Sequence, residues 1–593
     1  MKTIRFATAL VVLVLLSALQ YPVRSLASDS ENPLAGDALQ APQRPQTLAA
    51  TSTTSPSRYQ PSAFLAGRVA VQLLFAESNG NLEPSTTNWT SAQVTEITNQ
   101  VNTALHWWGD RLPNARLSFD LTSQVVPTGY EPITHGLTTE GQWIGDIFGR
   151  MGIAATNYFD QAYSAADKLR HDRHADWATT IFVANSTGKS DGRFADGHFA
   201  YAYINGPFMV ITSDAGPYGT GKLAPVVAHE FGHIFGALDQ YASANTPCTQ
   251  ESGYLAVPTT NSQANNCGSR FICIMLEPIE AYSANQVDTS ALGQIGYRDG
   301  NNNNIPDPLD TAPMLQLQMN QPGGGRPVIT GQAVDQPFPS PTGESMTINT
   351  ITRIEYRADG GEWALIPPQD GAYDSAGEAV NTTLPLYDGA HTVELRTFNS
   401  IGTSSAITKY NLNISGVGAD PHYQLSVPKI SNTTTININL AAPTGTTTQI
   451  SENPLFSGAA WRPAQSSMPW QFGSTDGQRT LYIRFRDQNG TESPAFARTI
   501  LVDRLPPTGR ALLHLIPTTW LEILASDSTT SVSAMQISID NGETGGWQAF
   551  QPTMPLTLQA NTITIRLRDE AGNISPPIAA APITSVWLPL LIR

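Results

Sequence analysis

The fold class the sequence predicts is multidomain: an α/β (α+β) unit followed by three all-β sandwich modules. Three observations carry that expectation. At 593 residues the chain is longer than one hydrophobic core organises. Residues 66–298 alternate strand-like and helix-like apolar patterns, whereas the rest consists of short alternating segments broken by turns. In that second half a segment recurs: HTVELRTFNSIGTSS at 391–405, RTLYIRFRDQNGTES at 479–493 and NTITIRLRDEAGNIS at 561–575.

The N-terminus combines Lys2 and Arg5, an apolar run from Phe6 to Leu19 and small residues up to Ala27. This order defines a secretory signal peptide over 1–27, and the run is too short for a bilayer-spanning helix. Residues 28–65, rich in Pro, Ser, Thr and Gln, are expected to be a disordered spacer or short pro-segment. GRVAVQLLFA then reads as a strand. SAQVTEITNQVNTALHWWGD reads as a helix with Val94, Ile97, Val101, Leu105 and Trp108 on one face, opened by a capping pattern at Thr90 and Ser91. ARLSFDLTS predicts a strand, Thr139 to His174 a helical region, WATTIFVANS a strand, and FAYAYING with PFMVITSDAGPYG strands or an edge hairpin.

A Gly/Pro-rich stretch near residue 320 marks the change of texture, so 299–325 is assigned to a loop and linker. The modules follow at 326–418, 419–504 and 505–593. Each repeat has a strand, a turn with Gly402, Gly490 or Gly572, and a Ser three residues later. Upstream segments end in Trp363, Trp461 and Trp547, expected to be core residues. The spacings between Arg396, Arg484 and Arg566 are 88 and 82 residues, the length of a sandwich module. In texture these segments resemble bacterial immunoglobulin-like or fibronectin type III-like modules. The closing SVWLPLLIR is too short to span a membrane and reads as a last strand or a surface-retention tail.

Charged residues make up 14% of the chain and the net charge is −16, so no basic face for nucleic acid is expected. Chemistry concentrates in VVAHEFGHIFGALDQY, 226–241. His229 and His233, four apart on a helix, face the same way and can bind one ion. Glu230 lies beside that ion, placed to take a proton from water. Gly236 allows the chain to leave the helix in a left-handed conformation, and Asp239 then arrives as a third ligand. His171, His174 and His198 have no comparable spacing.

The run H-E-x-x-H-x-x-G-x-x-D, followed by Met275 36 residues beyond Asp239, resembles the metzincin metallopeptidases, with Asp as third ligand as in the snapalysin group. The resemblance covers about residues 66–298. It implies zinc held by His229, His233 and Asp239, Glu230 as general base, and Met275 in a turn beneath the metal. Where related members carry a Tyr two residues after the Met, this chain has Glu277, leaving Tyr241 or Tyr282 as substitutes. A thermolysin-like alternative would take a distant Glu such as Glu251 as third ligand.

Asp299, Asn301, Asn303, Asp307 and Asp310 in YRDGNNNNIPDPLDT place oxygen ligands at near-alternate positions, as in a degraded calcium loop. A calcium site and an Asn-rich surface linker both remain open there. Three cysteines in an exported chain imply one disulfide, Cys248 with Cys267, and Cys273 left over. The function expected is a secreted or cell-surface zinc endopeptidase acting on protein or peptide substrates, whose modules bind a cell-surface or extracellular polymer. The alternative is a surface adhesion protein with an inactive protease-like domain.

Overall fold

The computed structural model describes residues 38–41 and 56–583, except 265–266, 269, 322, 324, 342–344, 419, 516–518, 541–544 and 557–561. The signal peptide, most of the 28–65 segment and the closing SVWLPLLIR lie outside the described residues.

The N-terminal unit is built on a six-stranded sheet. Its strands are β1 (Ala38–Leu39), β2 (Arg68–Ser78), β3 (Ser118–Thr128), β4 (Trp177–Ala184), β5 (Ala200–Tyr203) and β6 (Phe208–Thr212). The spatial order is β1-β5-β6-β4-β2-β3. Neighbours run parallel except β5, which is antiparallel to β6 and parallel to β1. β4 and β6 are buried along their whole length, as continuous apolar runs between two covered faces require.

Helix α1 (Ser91–Arg111) buries Ile97, Val101, Leu105 and Trp108, and the Thr90/Gln93 capping box closes its N-terminus. The helical region predicted over 139–174 is two helices, α2 (Glu140–Arg150) and α3 (Tyr158–Asp172). Asn157 caps the second, its side chain accepting the Asp160 amide. These two pack on one face of the sheet with Trp143, Phe148, Phe182 and Phe208. On the other face lie α1 and α4 (Leu223–Ile234), which is buried at every residue. Short helices α5 (Pro278–Ala284) and α6 (Thr289–Gln294) close that side.

Both edges of this unit depart from the sequence reading. Phe64 and Leu65 are buried and Phe64 packs edge-on against Trp177 and Tyr254, so the core begins before residue 66. Residues 38–41 are likewise not a free spacer, because β1 joins the sheet. At the other end Leu309 is buried in the same core.

The first module has two sheets. Gly377–Thr383, Val328–Asp335 and Pro313–Asn320 form one. Ala364–Ile366, Ile351–Ala358, Gly389–Asn399 and Thr408–Ile414 form the other. The stretch near residue 320, expected to be an interdomain linker, joins two paired strands of this module. The strand Pro313–Asn320 was hidden because its partly buried positions alternate with exposed Gln and Met, a weak apolar signal. The second module likewise has a three-stranded and a five-stranded sheet, and the third a continuous seven-stranded array. Ile329, Ile354 and Val393 belong to the first core, Ile438, Ile483 and Ile500 to the second, Ile523, Met535 and Ile565 to the third.

The internal repeat has a physical cause. Ser405, Ser493 and Ser575 each accept, through Oγ, the amide eight residues earlier, at 3.1, 2.9 and 2.9 Å. The same serine thereby closes the same turn three times. The Trp expectation is corrected: Trp363, Trp461 and Trp547 are only partly buried and lie outside the three cores. They stack under arginines on the sheet surface, Arg396 at 4.0 Å, Arg486 at 4.0 Å and Arg568 at 4.6 Å.

Candidate metal centre

Helix α4 sits under α1, where the Trp108 indole donates to the Ala228 carbonyl at 2.9 Å. Its apolar residues Val226, Val227, Phe231 and Ile234 are fully buried, and they fix the roll of the helix. His229 and His233 consequently share one face. Each imidazole is oriented by a carbonyl: His229 Nδ1 donates to Ile274 O at 2.8 Å and His233 Nδ1 to Ala237 O at 2.7 Å. A carbonyl only accepts, so the Nδ1 proton is fixed on both rings and both Nε2 atoms face inward.

The helix ends as the sequence predicts. Gly236 has φ +99°, and a Cβ there would lie 2.7 Å from Gly253 Cα. Its amide bonds His233 O and that of Ala237 bonds Gly232 O, turning the chain back. Asp239 then places Oδ1 3.1 Å from His229 Nε2 and 3.2 Å from His233 Nε2, while the two Nε2 atoms are 3.2 Å apart. Burial alone would raise the Asp239 carboxyl. The two imidazoles that face it, His233 first, outweigh burial and hold the carboxyl well below the usual carboxylate range.

Three lone-pair atoms converge this closely only around shared positive charge. Ligand atoms on a tetrahedral zinc with bonds near 2.0–2.1 Å stand roughly 3.3 Å apart, so the N₂O set fits that ion. Glu230, fully buried, occupies the next position on the helix.

The Met-bearing segment forms the floor. Met275 Sδ lies 2.8 Å from where a Cβ on Gly232 would be, so Gly232, between the two histidines, leaves room for the thioether. Gln240 N donates to Met275 O, tying the Asp239 loop to this turn. Cys273 Sγ accepts the amides of Met275 and Asp288, both at 3.4 Å. Burial pushes its thiol well up, so it stays protonated. Cys248 and Cys267 are bonded, as expected, and Cys273 is free.

Of the two tyrosines considered, Tyr241 lies beside the site, its ring 6.5 Å from that of His229, whereas Tyr282 stacks on Trp107. Glu277 is paired with Arg270. Glu251 is exposed and belongs to a short strand, Glu251–Ser252, outside the histidine cluster. A contributor that sequence reasoning missed is Ala38, whose amide donates to Asp239 Oδ2 at 3.0 Å. Nothing in its composition marks this residue; the contact depends on β1 pairing with β5 across 164 positions, Ala38 with Ala202.

Of the five residues considered for a calcium loop, four come together. Asp299, Asn301, Asn303 and Asp310 share one turn, in which Asp299 accepts the Asn303 and Asn304 amides and Asp310 the side-chain amides of Asn301 and Asn303. Asp307 is not in the set: it pairs with Arg298 at 2.6 Å and accepts the Gly300 amide. Asn302 and Asn304 take left-handed φ, a conformation Asn tolerates, which accounts for part of the Asn richness.

No protein-family model matches the chain, and no curated protein sequence does. Among solved structures it is similar to the fibronectin(III)-like modules of Clostridium thermocellum CbhA, with 14% identity, TM-score 0.20, and 27% of this chain and 94% of that one covered. It is also similar to the FN1–FN3 domains of chicken CNTN1, with 10% identity, TM-score 0.20, and 45% and 96% covered. The tetra-tandem repeat of a large adhesion protein matches at 16% identity and TM-score 0.13, with 46% and 74% covered.

Proposed function

We propose that the chain is a zinc-dependent endopeptidase of metzincin type whose three sandwich modules are spacing or binding elements outside the cell. The observation that carries this reading is the convergence of His229 Nε2, His233 Nε2 and Asp239 Oδ1. His229, His233 and Asp239 would hold the ion, which when bound acts as a Lewis acid and brings the acidity of water toward neutrality. Glu230 takes the proton from the attacking water and returns it to the leaving amine. The Ile274 and Ala237 carbonyls keep the imidazoles aimed, while Met275 packs against Gly232 between them.

Substrate alignment falls to β5, the antiparallel strand next to α4, whose free side would pair with an extended peptide. In the described chain β1 fills that side, so a substrate would displace Ala38–Leu39. An adhesion protein with an inert centre is the reading from another class.

Two variants separate them. Glu230→Gln should keep zinc, measured by plasma mass spectrometry, and lose peptide cleavage by about 10²–10⁴-fold. Asp239→Ala should lose zinc and cleavage together. A wild-type chain, freed of residues 1–41, that binds no zinc and cleaves no peptide would leave the adhesion reading standing.

A further inference from the structure

Where the second module meets the third, three carboxylates are drawn together. Asp503 follows Phe496–Val502, the last strand of the second module. Asp527 follows Trp520–Ser526, and Asp569 ends Ile563–Asp569, both in the third. One oxygen from each lies within 4.8 Å of the other two. Asp503 and Asp569 are buried. Asp527 is partly buried, but its Oδ2 is shut off from solvent and accepts no hydrogen bond among the described residues. Its Oδ1 is held by the amides of Thr529 and Thr530, so the carboxylate is fixed in place with one bare oxygen.

The first module shows what a neutral version looks like. Asp335 ends Val328–Asp335, the strand matching Trp520–Ser526, and Asn399 ends Gly389–Asn399, the strand matching Ile563–Asp569. The last match is strict, since both strands run into the same turn: Thr403 N donates to Asn399 Oδ1, and Asn573 N to Asp569 Oδ1. Asn399 Nδ2 donates to Asp335 Oδ1 at 2.9 Å, and the Thr311 and Thr347 hydroxyls donate to its Oδ2 at 2.6 and 2.7 Å. One buried carboxylate thus has three donors.

In the third module the donor Asn is replaced by Asp569, and Asp503 lies in the connection before the first strand of the module, as Thr311 does in the first. Two donors have become two anions. Asn573 Nδ2 donates to Asp569 Oδ2 and to the Asp503 carbonyl, and Thr530 Oγ1 donates to Asp503 Oδ2, but no donor among the described residues reaches Asp527 Oδ2.

We propose that Asp503, Asp527 and Asp569 form a calcium site that locks the second module to the third. The donors are all carboxylate oxygens, with no His or Cys, which selects a hard cation over zinc. Carboxylates from three separate segments suit the flexible, high-coordination shell of calcium better than the rigid octahedron of magnesium. Because Asp503 belongs to the connection and the other two to the third module, the ion would fix the angle between modules.

Calcium titration of the full chain, with zinc held constant, tests this. Calcium should raise the unfolding midpoint of the wild type by roughly 5 °C. Asp569→Asn rebuilds the Asp/Asn pair of the first module, so it should fold without calcium, lose that response, and bind one calcium fewer by isothermal titration. Asp310→Asn, in the Asn-rich loop, should retain the response. No calcium response in the wild type, or the same response and stoichiometry in Asp569→Asn, would overturn the proposal.

Discussion

At the scale of single residues, the His229, His233 and Asp239 cluster is shaped by groups outside it. Gly232 is the clearest. Adding one methyl there drives it into Met275 Sδ, and the fully buried Met275 side chain has little room to retreat. Gly232→Ala should therefore cost about 1–3 kcal/mol by overpacking and loosen zinc binding, read by denaturant unfolding and by competition with a chelating dye. Ala in place of a surface glycine such as Gly109, with nothing within 4 Å of its Cβ, serves as the control. The histidines, Glu230, Gly236 and Asp239 were legible because helix periodicity and one left-handed turn are local rules. Gly232 was not, since its need for space is created by a residue 43 positions away.

At the scale of elements, β1 covers one edge of the sheet beside the histidine cluster. Two residues pair with the outer side of β5, the Leu39 carbonyl accepts the Ile204 amide, and the Ala38 amide reaches Asp239. A few main-chain hydrogen bonds at about 1 kcal/mol each hold this strand over the centre. A chain lacking residues 1–41 should cleave a quenched fluorescent peptide at least about tenfold faster than one retaining them; equal rates would show that β1 does not obstruct the site. The core strands and α1 could be read from sequence because each is a continuous apolar pattern of eleven, eight or twenty-one residues. A two-residue strand has no pattern to read, and in Pro313–Asn320 the alternation is weak, because an exposed Met and Gln alternate with inward residues that are only partly buried.

At the scale of the whole molecule, the units are joined by specific contacts rather than by a flexible spacer. Tyr254, from the N-terminal unit, donates its hydroxyl to Phe338 O at 2.5 Å and accepts the Met346 amide at 3.0 Å. Met346 is buried in the core of that unit. Tyr254→Phe leaves both main-chain groups without that partner, at a cost of about 1–3 kcal/mol, and should split one calorimetric transition shared by the N-terminal unit and first module into two. The repeat in the sequence announced the modules correctly, because a serine-closed turn is local. Their Trp residues were misplaced, because stacking under an arginine on the surface and packing in a core call for the same large ring. Cys273 has a wider reach than its place in the floor suggests. Three cysteines offer three pairings to an oxidising environment. Only the chain in which Cys273 has already gone under the Met275 turn is restricted to the single pairing found, so shaping the floor of the centre also acts as proofreading for the crosslink beside it.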